Sequence, residues 1–484
     1  MNAASAILAT RVFSARDQTQ FATFSGDWNP IHMDPVAARR THPGSQVVHG
    51  VHLLLWMMEA VSVHRPGLPP FVTVTGAFEQ FVCVGDTVSV LLRRLDAAGF
   101  IAEIAAHGSR AAVASVKFGQ SYPPCPPQDA VPLQVPPCAP LRLTEAVPLA
   151  FEDMSRQQGG LALASPPDLA TALFPRLCQH WSAARVAALA CTSALVGMAC
   201  PGLHSIYSKV AVTACAGGDL DDGVLSFAVK LADSRFRSVQ MHVRAPGLTG
   251  TVSAIARMPP VSQLTMAEVA CHLAEAEFAT VRSLIIGGSR GLGEVTAKIV
   301  AAGGGQVFIT YNRGLEDALR VQSEIRAAGG ICEIGHYDAL APVDVQLDAK
   351  TLNVTQLYYF ATPHISRPKH GQYDAERFAE FAEFYVNGLY RLCIAAWEAS
   401  PEGLAVFYPS SEFVAERPSG MTEYAMAKAA GEVLCAQLSR EVPGLRVISS
   451  RLPRLLTDQT ASFLSSDIAE PLETLLPLVR SLGR

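Results

Sequence analysis

One apolar helix followed by four strand-like runs occurs twice in residues 1–262, and this repeat constrains the fold more than any other feature. The first helix candidate, Gly50–His64, is apolar on most of its faces, so we expect it to be buried. A similar segment lies at Trp181–Cys200. A buried helix needs a covering layer, so each copy predicts an α+β unit in which an antiparallel sheet wraps one helix.

The segment between Tyr122 and Pro140 is rich in proline, which interrupts helices and central strands, so we expect an extended linker there. From Val281 onward, short apolar strands alternate with helices, which predicts a parallel sheet. The predicted organisation is multidomain, with an α+β unit at 1–121, the linker at 122–140, a second α+β unit at 141–262, a helical connector at 263–280 and an α/β domain at 281–484.

Composition argues against several classes of protein. Hydrophobic residues make up 49% of the chain and charged residues 17%, which favours packed domains over long disordered segments. The net charge of −5 does not predict nucleic acid or a membrane as a partner, and no apolar run approaches the roughly 20 residues that span a bilayer. The eleven cysteines have no metal-ligand spacing, so we expect reduced thiols, no metal site and a cytoplasmic location.

Asp27 and His32 lie five residues apart in FSGDWNPIHMDP (24–35), a loop that contains two prolines. An H-G pair, His49–Gly50, then opens the first apolar helix. This block resembles the MaoC-type enoyl-thioester hydratase/dehydratase family, which has the hot-dog fold. The resemblance implies a double hot-dog in the first half of the chain and a catalytic role for Asp27 and His32.

Dehydration of a 3-hydroxyacyl thioester needs a base for the C2 proton and an acid for the leaving C3 hydroxyl, which His32 and Asp27 can provide. Gly50 would let the thioester oxygen approach backbone N–H groups at a helix start, and Asn29 would fix the loop. An isolated Asp and His at this spacing are usually surface or capping groups, and the surrounding motif is what favours catalysis. In the second copy neither Asp168 nor His180 has such a partner. We therefore expect that copy to keep the fold without the chemistry and to complete the sheet and the acyl tunnel.

A glycine-rich turn in LIIGGSRGLG (284–293) lies between an apolar strand and a helix, where a backbone can approach a pyrophosphate. About 20 residues later a strand ends in Asn312–Arg313. An acidic residue there would favour NAD, whereas an arginine suits the extra phosphate of NADP, so we expect NADP(H) as cofactor.

Ser411, Tyr424 and Lys428 follow in PSSEFVAERPSGMTEYAMAK. With the glycine turn, they resemble the short-chain dehydrogenase/reductase family over residues 281–459, which implies a Rossmann-type, doubly wound parallel sheet. The resemblance adds Asn387 to the catalytic set of Ser411, Tyr424 and Lys428, and the lysine is expected to favour the tyrosine phenolate. The implied cofactor-binding residues are Gly287, Ser289, Arg290, Gly291, Leu292, Gly293, Asn312, Arg313, Asp338, Ala361, Tyr424, Lys428 and Thr457.

Two departures from that family leave cofactor packing and the substrate lid open. The usual Asn-Asn-Ala-Gly stretch is replaced by YYFATPHIS (358–366), and little chain follows residue 459. Together the resemblances imply a bifunctional NADPH-dependent 3-oxoacyl-thioester reductase and 3-hydroxyacyl-thioester dehydratase in fatty-acid or polyketide-type biosynthesis. Its substrate would be carried by acyl carrier protein or CoA, and a homo-oligomer stays open. The alternatives are a hydratase–dehydrogenase running oxidatively and a chain in which one half is a non-catalytic binding or scaffold module.

Overall fold

The computed structural model describes residues 6–125, 141–163, 167–216, 223–363, 365, 373–457 and 468–483. The chain forms two compact units, Met1–Pro259 and Pro260–Arg484. The finer division into five segments stays a prediction, and residues 126–140 of the predicted linker lie outside the described residues.

In the first unit, the helices are α1 (Ala15–Ser25), α2 (Pro30–Met33), α3 (Pro35–Arg39), α4 (Gly50–His64), α5 (Phe151–Met154), α6 (Pro167–Leu173), α7 (Leu177–His180) and α8 (Ala183–Ala194). A π-helical segment, Leu195–Ala199, continues α8. The strands are β1 (Ala6–Val12), β2 (Phe71–Phe78), β3 (Thr87–Asp96), β4 (Gly99–Ala106), β5 (Ser109–Phe118), β6 (Gln158–Ala162), β7 (Ser205–Ala214), β8 (Val224–Asp233), β9 (Ser238–Ala245) and β10 (Leu248–Ala256).

The ten strands in the described residues of this unit form one antiparallel sheet in the order β1-β3-β4-β5-β2-β7-β10-β9-β8-β6. The two repeats meet where β2 pairs with β7, for example Val74 opposite Val212. The apolar helices α4 and α8 contact each other and share one hydrophobic core with the sheet. The double hot-dog is therefore confirmed, and its two halves are halves of a single packed body.

The second unit has strands β11 (Arg282–Ile286), β12 (Gln306–Tyr311), β13 (Ile331–His336), β14 (Gln356–Tyr359), β15 (Leu404–Ser411) and β16 (Leu445–Leu452). Its helices are α9 (Met266–Ala270), α10 (Gly291–Ala302), α11 (Leu315–Ala327), α12 (Ala349–Leu352), α13 (Ala375–Ala382), α14 (Leu389–Ala399), α15 (Phe413–Glu416), α16 (Thr422–Glu441) and α17 (Pro471–Leu482). A π-helical segment, Glu383–Gly388, joins α13 to α14.

The six strands pair in parallel in the order β13-β12-β11-β14-β15-β16, which confirms the doubly wound sheet. The strand order reverses between β11 and β14, and in such sheets ligands bind at the carboxyl ends of the strands beside this switch point.

Two sequence-based expectations are wrong. Helix α9 ends at Ala270 although a longer helical connector was predicted. The chain turns beyond it, where Ala276 has a φ of 54° and the Glu277 carboxylate accepts the Ala274 N–H. Cys125 and Cys215 form a disulfide, so the thiols are not all reduced, and the predicted cytoplasmic location loses that support. None of the described helices is long and apolar enough to cross a membrane.

Candidate functional sites

The loop that carries Asp27 is set by the ends of two helices. Helix α1 stops at Gly26, whose φ of 80° turns the chain, and Asp27 follows with 1% of its surface exposed. Asn29 caps α2 by accepting the Ile31 N–H, and its own N–H donates to Asp27 Oδ1 at 3.2 Å. The short helix α2 then presents His32 to the same space.

His32 faces Asp27 in a defined orientation. Its Nδ1 lies 2.7 Å from the Val47 carbonyl oxygen, which can only accept, so Nδ1 carries a proton. In the neutral ring Nε2 is then unprotonated, and it lies 3.9 Å from Asp27 Oδ2. His49 stacks on the His32 ring with 3.9 Å between ring centres. The arrangement pairs a base nitrogen with a carboxyl group across a gap that a hydroxyl oxygen can bridge.

Burial decides the protonation of this cluster. Loss of solvent raises the pKa of Asp27, against the lowering effects of His32, Ser193 and Asn29, so the carboxyl group holds a proton more readily than an exposed one. Burial also lowers the pKa of His49 well below its ordinary value. Asp27, His32 and His49 have ligand atoms within 4.8 Å of one another, as a metal site would need. His49 Nε2, however, lies 3.0 Å from the Asp27 carbonyl oxygen, which can only accept, so this nitrogen carries the proton of the neutral ring and has no lone pair for a metal ion. The cluster therefore suits proton transfer better than metal binding.

A cavity beside this pair draws its walls from both hot-dog halves. Asp27, His32 and Gly50 line one side, and Gly197 and Tyr207 of the second half line another. Gly50 is the first residue of α4, whose capping residue makes no side-chain hydrogen bond. N–H groups in the first turn of a helix have no partner within the helix, so they can receive a developing oxyanion.

The second half also holds Asp27 in place, which sequence reasoning missed. Ser193 Oγ of α8 donates to Asp27 Oδ2 at 2.6 Å, and Asn29 Nδ2 donates to the Gly197 carbonyl oxygen at 2.6 Å. A Cβ on Gly197 would lie 2.3 Å from Asp27 Oδ1. The sequence feature that could have indicated this contact is the run of small residues in ACTSALVGMA (190–199), where Ser193 and Gly197 lie four residues apart on one helix face.

In the second unit, the glycine turn lies at the switch point between β11 and β14. Gly287 has a φ of 76° and Gly291 a φ of 56°, conformations that favour glycine. A Cβ on Gly293 would lie 2.3 Å from the Gly287 carbonyl oxygen, so the turn closes onto the start of α10 without room for side chains. The turn fits a bound pyrophosphate, as the sequence spacing predicts.

Other predicted cofactor residues fall around this turn. A Cβ built on Gly287 would lie 3.6 Å from the Ala361 backbone nitrogen. A Cβ built on Gly291 would lie 3.6 Å from Thr457 Cγ2. Three residues lie in the turn itself or in the first turn of α10: Ser289, Arg290 and Leu292. Asn312 and Arg313 are exposed just after β12, and Asp338 follows β13 and accepts the Leu340 N–H at 3.0 Å.

Ser411 lies near Tyr424 and lowers the pKa of its phenol. Lys428, one turn further along α16, donates to the Pro409 carbonyl oxygen at 2.6 Å. Burial is the largest influence on Tyr424 and raises its pKa, while Ser411 lowers it. The effect of Lys428 on the phenolate stays a prediction. Burial also lowers the pKa of Lys428 to about 7. A phenol with a raised pKa keeps its proton more readily than an exposed one, which suits a proton donor.

Asn387 is not brought to this group. It lies in the π-helical segment Glu383–Gly388, is exposed, and donates from Nδ2 to Glu383 Oε2 at 2.6 Å. Tyr385, two residues earlier, contacts Lys428 instead, with 3.9 Å from Nζ to the ring centre. Sequence reasoning did not single out Tyr385, because an isolated tyrosine in a helical segment reads as a core residue.

In comparisons with known proteins, one family model matches residues within each of the two compact units. The family model for a MaoC like domain matches residues 7–108, and that for a short chain dehydrogenase matches residues 282–463. A mitochondrial 3-hydroxyacyl-[acyl-carrier-protein] dehydratase of Arabidopsis thaliana is 35% identical over 86 residues, which are 18% of this chain and 51% of that protein. The chain thus spans about half the length of this curated relative.

Two solved structures of low identity are similar to part of this chain. A short chain dehydrogenase from Burkholderia cenocepacia in complex with NADP is 22% identical, covering 43% of this chain and 92% of that one, with a TM-score of 0.39. The angucycline C-6 ketoreductase LanV with bound NADP is 19% identical, covering 44% and 93%, also with a TM-score of 0.39. By the family matches, residues 7–108 form a MaoC-like domain and residues 282–463 form a short-chain dehydrogenase domain.

Proposed function

We propose that the chain reduces a 3-oxoacyl thioester with NADPH and then dehydrates the 3-hydroxyacyl product to a 2-enoyl thioester. The observation that carries the proposal is the pair formed by half-buried His32 and buried Asp27, with 3.9 Å between Nε2 and Oδ2, in the cavity that Gly50 lines. A base and an acid at this separation can act on neighbouring carbons of one acyl chain.

For the dehydration, neutral His32 removes the C2 proton at Nε2 while Nδ1 keeps its proton on the Val47 carbonyl. The C–H electrons form the C2–C3 double bond, the C3–O bond breaks, and protonated Asp27 gives its proton to the leaving hydroxyl, which departs as water. The raised pKa of Asp27 supports this assignment. The N–H groups at the start of α4, at Gly50, stabilise the negative charge on the thioester oxygen.

For the reduction, NADPH would supply the hydride, and the glycine turn from Gly287 to Gly293 fits its pyrophosphate. Tyr424 gives its phenolic proton to the carbonyl oxygen, and the Ser411 hydroxyl hydrogen-bonds the same oxygen. Arg313, exposed at the end of β12, supports NADPH over NADH because an arginine can pair with a ribose phosphate. Exposed positive charge at that position would be unnecessary for NADH.

The carried substrate is inferred from the dehydratase relative. The name of that plant protein specifies an acyl-carrier-protein thioester, so we propose an acyl thioester on acyl carrier protein or CoA, in fatty-acid or polyketide-type assembly. Fusion of the two domains raises the local concentration of the shared 3-hydroxy intermediate.

The test is to incubate purified protein with a 3-oxoacyl thioester and NADPH or NADH and to follow thioester masses. We expect a gain of two hydrogens and then a loss of water, with NADPH strongly preferred. His32→Gln should stop at the 3-hydroxy product, and Tyr424→Phe should leave the substrate unreduced while still dehydrating added 3-hydroxyacyl thioester. Equal use of NADH, or oxidation of 3-hydroxyacyl thioester in preference to reduction, would favour the oxidative alternative. If wild-type protein leaves either substrate unchanged, the corresponding half lacks the proposed activity.

A further inference from the structure

The Lys428 ammonium lies among tyrosine rings. Its Nζ is 3.9 Å from the ring centre of Tyr385, 4.8 Å from that of Tyr408 and 5.9 Å from that of Tyr424. Lys428 is buried, with 6% of its surface exposed. The ring face of an aromatic side chain attracts a cation within about 6 Å, and more strongly where water is excluded.

The remaining partners of this ammonium are few. Its hydrogen bond goes to the Pro409 carbonyl oxygen at 2.6 Å. Glu432 acts on this ammonium electrostatically, but its carboxylate is bound to Arg451 and to Ser410. In the described part of the chain no carboxylate forms a salt bridge with Lys428, whereas three tyrosine ring faces lie within 6 Å of its ammonium.

Tyr385 is the ring closest to the ammonium, and its position is fixed from both ends. Its hydroxyl lies 2.5 Å from Thr362 Oγ1, and its ring stacks on Phe381 with an interplanar angle of 7°. Thr362 belongs to the stretch FAT (360–362), which departs from the Asn-Asn-Ala-Gly of related enzymes. Asn387 is meanwhile exposed and bound to Glu383. The departure at 360–362 therefore contacts the side chain that lies against Lys428.

We propose that Tyr385 is a positioning residue that holds the Lys428 ammonium against its ring face. Tyr385 would act through Lys428 and would not touch the substrate. The expected change in the pH dependence of kcat rests on the proposed reductase function, whereas the expected change in the titration of Lys428 does not.

The groups that face Lys428 come from three elements. The π-helical segment contributes Tyr385, strand β15 contributes Tyr408, and α16 contributes Tyr424, Glu432 and Cys435. Glu432 and Cys435 favour the ammonium when they are ionised, and burial opposes it. A variant that removes the Tyr385 ring loses stabilisation of the ammonium while these other groups stay, so the titration of Lys428 should move to lower pH.

The test compares Tyr385→Leu with Tyr385→Phe in the full chain. The chain has seven lysines, so NMR of lysines labelled with ¹⁵N at Nζ can resolve the titration of Lys428, with Lys428→Arg used for assignment. We expect Tyr385→Leu to lower its midpoint by about 0.5–1.5 pH units and Tyr385→Phe to leave it within about 0.3 units, since the phenylalanine keeps the ring face. The alkaline limb of the pH–kcat profile for thioester reduction should move by the same amount in the leucine variant.

An unchanged midpoint in Tyr385→Leu, or equal shifts in the leucine and phenylalanine variants, would overturn the proposal. Should Tyr385→Leu unfold, Tyr385→Met is the second aliphatic replacement, and circular dichroism at each pH checks folding. If wild-type protein fails to reduce the thioester at all, the proposed reductase function fails, and the NMR midpoints still decide the role of Tyr385.

Discussion

Alanine at Gly197 tests whether the second hot-dog half determines the position of Asp27. Gly197 is far from Asp27 and His32 in the sequence and lies in the π-helical segment that continues α8. Its φ is not positive, so alanine costs nothing in backbone conformation, and alanine is the better helix former. The conflict is with one side chain, because the new Cβ would lie 2.3 Å from Asp27 Oδ1 and 2.8 Å from its Cγ and Oδ2.

The size of the effect follows from these distances. Reaching an ordinary contact of 3.4 Å requires a movement of about 1.1 Å, and Asp27 is buried and cannot move without losing its bond from Ser193. A misplacement of about 1 Å at a reacting group can cost roughly 100-fold in rate, or about 2.7 kcal/mol of transition-state stabilisation. We therefore expect kcat for dehydration to fall about 100-fold in Gly197→Ala while NADPH-dependent reduction stays at the wild-type rate.

The assay follows the ultraviolet absorbance of the conjugated enoyl thioester formed from added 3-hydroxyacyl thioester. Gly159→Ala is the matched control, because a Cβ there meets Phe227 at an ordinary 3.4 Å. Dehydration within about threefold of wild type in Gly197→Ala, with unchanged thermal unfolding, would refute the idea that the second half positions the acid.

Three further predictions test other contacts. Ser193→Ala removes a hydrogen bond that lowers the pKa of Asp27. The dehydration rate should fall, and the alkaline limb of its pH–rate profile should move to higher pH. An alkaline limb that does not move would contradict the role of Asp27 as the acid. Lys428→Met should abolish reduction yet raise the unfolding temperature at pH 6. The folded-state pKa of Lys428 is about 7 against 10.5 unfolded, so its charge destabilises the fold most below pH 7, and calorimetry should show the gain shrinking toward pH 10. Replacing both Cys125 and Cys215 with serine should cost about 4.5 kcal/mol in the chain-entropy view of a link across 90 residues, measured by urea unfolding, without changing kcat for dehydration.

Local patterns were sufficient for the parts of each site that lie close together in the chain. Asp27 and His32 are separated by five residues and a helix cap, and Tyr424 and Lys428 by one helical turn, so their proximity follows from spacing alone. The bounds predicted for the first apolar helix, Gly50–His64, are those of α4, because such a long apolar run has one compatible structure.

Contacts between distant segments could not be read in this way. Ser193 reaches Asp27 across 166 residues, and the contact exists because β2 and β7 join the two halves in one sheet. The pairing of Cys125 with Cys215 likewise depends on where β7 ends. The exposure of Asn387 follows from the π-helical turn around it, which changes the helix face on which a residue lies and leaves no sign in hydrophobic spacing.

The pairing of β2 with β7 has a consequence for synthesis of the chain. Strand β2 ends at Phe78 and β7 begins at Ser205, so 127 residues must be added before the two can pair. At 5–20 residues per second this takes about 6–25 s, and once β5 is complete at Phe118, β2 is the unpaired edge of the five strands already made. An unpaired edge is a template for any other strand. The join that completes the dehydratase cavity is therefore also the surface at which two nascent copies could pair wrongly on one polysome.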